Sequence, residues 1–155
     1  MNDENQRQRL AQAVAKDMYG LDEAARSLAI HIDGVGPGHA RARMTVREDM
    51  LNSHRICHGG MIFTLADSAF AYACNAENKS TLATTCSISF ASAAELGEEL
   101  SAVAEERMRT GRTGVYDITV RAGDGRMIAV FRGNSYQVKG ETVPGLKVPP
   151  PSDDA

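Results

Sequence analysis

Residues 61–78, MIFTLADSAFAYACNAEN, are apolar on nearly every side of a helix, and Asp67 is the only charge between Met61 and Ala76. A helix without a polar face cannot rest on a protein's surface and has to be enclosed. The run falls short of the roughly 20 apolar residues of a membrane span. Its alanines, Ala66, Ala69, Ala71 and Ala73, suit close approach by a wrapping layer. The segment therefore predicts a buried central helix, and the chain beyond it supplies the wrapper: strand-like runs over 82–90, 100–109, 114–121 and 127–138, separated by AAELGE, RTGR and AGDG.

Upstream, Leu10, Ala13, Val14 and Met18 recur at helical spacing and predict an amphipathic helix ending near Gly20. Asp22 then caps a short second helix over DEAARSLAI. From Ile30 the period changes, and Ala40, Ala42, Met44 and Val46 alternate with polar neighbours as in a half-buried strand. The glycines of GVGPG resemble part of a phosphate-binding loop, but Pro37 and an alternating strand follow where such a loop needs a helix, so the segment reads as a hairpin turn. The fold class is α+β, an antiparallel sheet curled around one long helix. Its open edges favour pairing with a second copy. One domain spans 1–140, and the proline-rich, acidic-ended segment 141–155 is expected to be a disordered tail.

With 43% hydrophobic and 24% charged residues the chain has the make-up of a globular protein, and a net charge of −3 with scattered basic residues argues against a nucleic-acid partner or an anionic membrane surface. The first ten residues, MNDENQRQRL, hold no apolar stretch of a signal peptide, so a cytoplasmic location is expected. Cys57, Cys74 and Cys86 are odd in number and lack CxxC spacing, which reads as reduced thiols. His54, Cys57 and His58 supply too few ligands of convincing spacing for a metal.

Asp67 carries a carboxylate into apolar surroundings, where such a group is either held by a hydroxyl or amide for packing or kept for chemistry. His58, Gly59 and Gly60 stand where that helix begins. Amides there lack carbonyl partners and favour negative charge, so they either receive a developing oxyanion or merely permit a tight junction. The Asn52 side-chain amide is a second candidate donor, or a turn former. Alternation places Thr84 with Leu82, Cys86, Ile88 and Phe90 on the helix-facing side, which makes Thr84 a candidate partner for a carboxylate. GxSxG is absent and histidines are few, so a carboxylate mechanism is favoured over a Ser-His-Asp one.

Taken together, NSHRICHGGMIFTLADSAFAYACN and TGVYDITVRAGDGRMIAVFRGNSYQVKG resemble the hotdog-fold thioesterases of the phenylacetic-acid-degradation type, over nearly everything from Asp17 to Gly140. The resemblance implies hydrolysis of acyl-CoA thioesters, often aryl-acetyl ones, without a cofactor, by a homodimer that pairs again into a dimer of dimers. It implies that Asn52 and the Gly59 N–H polarise the thioester carbonyl and that Asp67 activates water or attacks directly. Thr84 would lie near the carboxylate, and the turn from Arg109 through Arg112 and Thr113 to Gly114 would meet the coenzyme A nucleotide. The two arginines read equally well as solvated turn residues. Rival readings are a hotdog hydratase or dehydratase, with a histidine base, and a non-catalytic acyl-CoA-binding module.

Overall fold

The computed structural model describes residues 2–150. Helix α1 (Asp3–Leu21) opens with the Asn2 side chain accepting from the Glu4 N–H and buries Ala11, Val14 and Ala15. It runs through Gly20, where the sequence suggests a stop, and ends at Asp22, whose side chain caps α2 (Glu23–Ser27) by accepting from the Ala25 N–H. That second helix is shorter than DEAARSLAI, because Ala29 takes a left-handed φ of 51° and turns the chain so that the Ile30 N–H reaches the Ala25 carbonyl. Strands β1 (His31–Gly36) and β2 (His39–Thr45) form the hairpin, with Gly38 at the positive φ the turn requires.

After a 3-10 turn at Glu48–Met50, helix α3 (Gly59–Cys74) runs under the sheet. It starts two residues before the apolar run and stops before Asn78. Asn75 ends it: its amide donates to the Ala71 and Thr81 carbonyls and accepts from the Thr81 N–H, giving the departing chain the partners a further turn would have supplied. Strands β3 (Thr81–Phe90), β4 (Glu99–Thr110), β5 (Thr113–Ala122) and β6 (Met127–Gln137) complete a six-stranded antiparallel sheet ordered β1-β2-β4-β5-β6-β3.

The floor beneath α3 is made of cross-strand rows. Ala40, Ala104, Ile118 and Phe131 form one, and Ala42, Ala102, Val120 and Ala129 the next. The four alanines of β2 and β4 are fully buried and let the helix lie close. Ile62, Leu65, Ala66, Ala69, Phe70, Tyr72 and Ala73 face them. Each large apolar side chain sunk here stabilises the fold by about 1.5–3 kcal/mol. At Gly133 a side chain would stand 2.7 Å from the Phe70 ring, so only glycine admits that ring.

Two sequence-based expectations need correction. Thr84 is the extra residue of a bulge in β3: Ala83 pairs with Ser135 and Thr85 with Asn134. The bulge breaks the alternation, so Leu82, opposite the exposed Tyr136, does not share the helix-facing side with Cys86 and Ile88. The segment from 141 is also tied down at its start. The Val143 N–H donates to the Asn78 Oδ1 (2.8 Å), and the Thr142 hydroxyl to the Asn75 Oδ1 (2.7 Å). The remainder of the tail expected over 141–155, residues 151–155, lies outside the described residues. Among the described residues no helix is long and apolar enough to cross a membrane.

Glu77, just past α3, joins three elements: it accepts from Arg7 of α1 and Arg109 of β4, each at 2.8 Å. The Arg109 guanidinium, foremost, holds its carboxyl down at about 2, against an ordinary value of 4.5. A folded-state pKa below the unfolded one stabilises above the unfolded value and loses that contribution as the pH falls towards the folded one. Glu77→Gln is expected to cost on the order of 1–2 kcal/mol at neutral pH, given the partial exposure of the pair. In urea unfolding the gap between wild type and variant should be full above pH 4.5 and close as the pH approaches 2. A gap independent of pH would show that the ion pairs do not contribute.

Candidate active site

The loop before α3 is folded back on itself. Leu51 bridges Cys57, and the His58 N–H donates to the Met50 carbonyl. Inside the loop the Asn52 Oδ1 accepts from the His54 N–H (2.9 Å) and the Ile56 N–H (3.3 Å). The carbonyl end of the side chain is thereby fixed, and among the described residues nothing accepts from its NH₂ end.

At the helix start the His58 Nδ1 accepts from the Gly60 N–H at 2.9 Å, and the His58 carbonyl accepts from the Met61 N–H. An imidazole nitrogen that accepts carries no proton, so the neutral ring bears its hydrogen on Nε2. That leaves the Gly59 N–H without an acceptor among the described residues, at the positive end of the helix dipole. Both glycines have close neighbours. A Cβ at Gly60 would lie 3.0 Å from the His58 Nδ1, and one at Gly59 would lie 3.0 Å from the Phe90 ring.

Asp67 sits two turns further along, half-buried. The nearby hydroxyls are already committed to the helix backbone: Thr64 donates to the Gly60 carbonyl (2.9 Å) and Ser68 to the Thr64 carbonyl (2.7 Å). Among the described residues no group donates to the Asp67 carboxylate, and its pKa is raised, first by burial and then by the negative charge of Asp22. Asp22 is held by the Ala25 N–H (3.0 Å) and by the buried Tyr72 hydroxyl (3.1 Å). Sequence reading identifies Asp22 as a helix cap, but nothing in the sequence pairs it with a tyrosine fifty residues away.

Gly59 and Asp67 are eight residues apart on one helix, which at 1.5 Å per residue separates them by roughly 12 Å. One carbonyl cannot meet both within a single chain. The Thr84 hydroxyl goes to the Asn134 carbonyl (3.1 Å), not to Asp67. Burial pushes the Cys57 thiol up to about 11 and the Cys74 thiol up to about 12, and raises Cys86 as well, so all three stay protonated and are poor nucleophiles. Among the described residues no group of three or more His, Cys, Asp and Glu could hold a metal.

Of the turn residues, Arg109 is engaged by Glu77 and lies 3.9 Å from Glu106. Arg112, at the tip, makes no side-chain hydrogen bond among the described residues. Thr113 closes the turn by donating from its hydroxyl to the Thr110 carbonyl (2.9 Å), and a Cβ at Gly114 would collide with Ser135 at 2.7 Å. A groove of about 410 Å³ lies elsewhere, between α1 and β1. None of its lining residues belongs to the helix start or to the Asp67 turn.

The thioesterase superfamily pattern matches residues 54–129, which include Gly59 and Asp67. The acyl-coenzyme A thioesterase PaaI of Escherichia coli is 42% identical over 126 residues, covering 81% of this chain and 90% of the relative. The solved structure of the E. coli PaaI protein, from the phenylacetic acid degradation operon, superposes with a TM-score of 0.84 over 85% of this chain and 96% of its own. A variant of the phenylacetic acid degradation protein PaaI from Thermus thermophilus, 31% identical, gives 0.71 over 74% and 97%. A Streptococcus mutans protein solved with acetyl-CoA bound, 21% identical over 72% and 90%, gives 0.69 and speaks for the fold alone. The sheet wrapped around α3, the helix that carries Gly59 and Asp67, is thus a hotdog fold, and the chain belongs to the thioesterase superfamily.

Proposed function

We propose that this protein is an acyl-CoA thioesterase acting on aryl-acetyl-CoA and similar esters, cytoplasmic and at least dimeric, with each active site built from two chains. The observation that carries the reading is the Gly59 N–H, which has no acceptor among the described residues, at the start of the helix that also bears Asp67. An amide at a helix start and the Asn52 NH₂ offer two donors to a thioester oxygen that gains charge as the carbonyl is attacked. Asp67 of the partner subunit takes a proton from water as the water oxygen bonds to the carbonyl carbon. The tetrahedral intermediate then expels the CoA thiolate, which recovers a proton, leaving free acid and CoA. A carboxylate whose pKa is raised is the stronger base for this step.

Two subunits are needed because of the separation along α3, and a two-fold axis supplies the second carboxylate. β1 is flanked by α1, whereas β3 is an open edge carrying the exposed Leu82 and Phe90. Pairing through β3 would close that edge, and two such dimers would associate further. Arg112 is the guanidinium available to coenzyme A phosphates, beside Thr113 and Gly114, while Arg109 is held by Glu77 and braces the turn. Thr84, bonded to the Asn134 carbonyl in this chain, would need the bulge to shift before serving Asp67. A hydratase with His58 as base is disfavoured, since its Nδ1 accepts from the Gly60 N–H and its Nε2 carries the proton.

Asp67→Asn is expected to keep the fold and oligomer while lowering kcat for phenylacetyl-CoA at least a hundredfold, about 2.7 kcal/mol. Near-normal thiol release from the folded variant would remove Asp67 from the mechanism. The base form of Asp67 is the active one, so activity should fall on the acid side at a pH above that of an ordinary aspartate. Asp22→Asn removes one cause of the raised pKa and should move that limb of the kcat/KM profile to lower pH; an unmoved limb would exclude the coupling. Co-refolding Asn52→Ala chains with Asp67→Ala chains tests the shared site. Random mixing makes about half the dimers mixed, each with one intact site, so roughly a quarter of wild-type activity should return. Mixed dimers without activity would place both residues in one chain's site.

A further inference from the structure

Phe90 closes the row Ala42, Ala102, Val120, Ala129, since it pairs with Ala129 and shares its face of the sheet. The other four members are fully buried, yet Phe90 is 52% exposed. Phe90 stands on the edge strand through which a second subunit would pair, where the shared site would form, and an apolar ring beside a polar donor is the usual lining of a ligand pocket. The donor is the Gly59 amide: a Cβ on Gly59 would stand 3.0 Å from the ring's Cζ and 3.5 Å from each Cε. A side chain at 59 would press the ring aside by a few tenths of an ångström, so the glycine lets the ring lie close beside the amide.

Gly59 and Phe63 are one helical turn apart and lie on the same face of α3. Phe63, half-buried, meets Phe131 edge-on with ring centres 5.1 Å apart, and Phe131 lies one row over from Phe90, opposite Ile88. Gly59 thus has one aromatic ring beside it from the strand and another one helical turn along α3. A carbonyl oxygen accepting at about 2.9 Å from that N–H would bring the first carbons of its acyl group into van der Waals reach of the Phe90 ring. Flat rings stack or meet edge-to-face there with more favourable contact than a flexible chain makes.

We infer that Phe90 is a specificity-determining residue of the thioesterase site, its ring forming with Phe63 an aromatic wall that selects aryl over straight-chain acyl groups. The inference rests on the thioesterase reading and assigns that site's aryl preference to a residue. Its test compares wild type, Phe90→Leu and Phe90→Tyr on phenylacetyl-CoA, hexanoyl-CoA and acetyl-CoA by thiol release, with size-exclusion chromatography of each. In Phe90→Leu, kcat/KM for phenylacetyl-CoA should fall about tenfold, chiefly through KM, while acetyl-CoA changes less than about threefold. Phe90→Tyr should retain the aryl preference. Equal losses on all three esters, or a Phe90→Leu chain that changes oligomeric state, would assign Phe90 to packing and overturn the inference. Absence of thiol release from the wild type would instead overturn the thioesterase reading itself.

Discussion

The packing of α3 onto the alanine rows of β2 and β4 is the contact on which the site depends. Ala40 opposite Ala104 and Ala42 opposite Ala102 present only methyl groups, so the helix lies close and its direction is set by side chains that interdigitate around them. Gly133 extends the same logic to β6, where the Phe70 ring occupies the space a side chain would need. Enlarging any of these positions would lift the helix and with it the two groups it carries. A helix held this rigidly delivers its free amide and its carboxylate at a fixed separation, and that separation makes a second chain necessary to the proposed chemistry.

Two carboxylates near this helix show how surroundings assign roles. Glu77 receives two guanidinium groups and is driven far to the acid side, which makes it a clasp between α1, the exit of α3 and β4. Asp67 receives no donor among the described residues and is driven the other way by burial and by Asp22. A group stabilised in its charged form gives up its capacity to take a proton, whereas one kept short of partners retains it. Thr64 and Ser68 contribute by what they do not do: their hydroxyls are turned to helix carbonyls and not to Asp67.

The helix start shows the same economy of donors. Of its first amides, the Gly60 N–H is taken by the His58 ring and the Met61 N–H by the His58 carbonyl, so only the amide of Gly59 faces outward with no acceptor among the described residues. His58 thereby defines which donor is available. Asn52 repeats the device on a side chain, its carbonyl end anchored by two backbone amides and its NH₂ end without an acceptor among the described residues.

From the sequence alone the enclosed helix, the hairpin in place of a phosphate loop, the four later strands and the candidates Asn52, Gly59 and Asp67 are all legible. Apolar periodicity and the absence of charge are local properties, and a glycine pair before a helix is a local signal. What only the tertiary structure decided joins distant residues: β3 beside β6 rather than β4, Arg109 on Glu77, Tyr72 on Asp22 and Phe90 over Gly59. The bulge at Thr84 belongs with them, since one extra residue opposite β6 reverses an alternation that reads as unbroken along the strand. Periodicity reports which side of a segment is apolar, but it carries no information about which neighbour covers that side, and that choice is made by packing the whole chain at once.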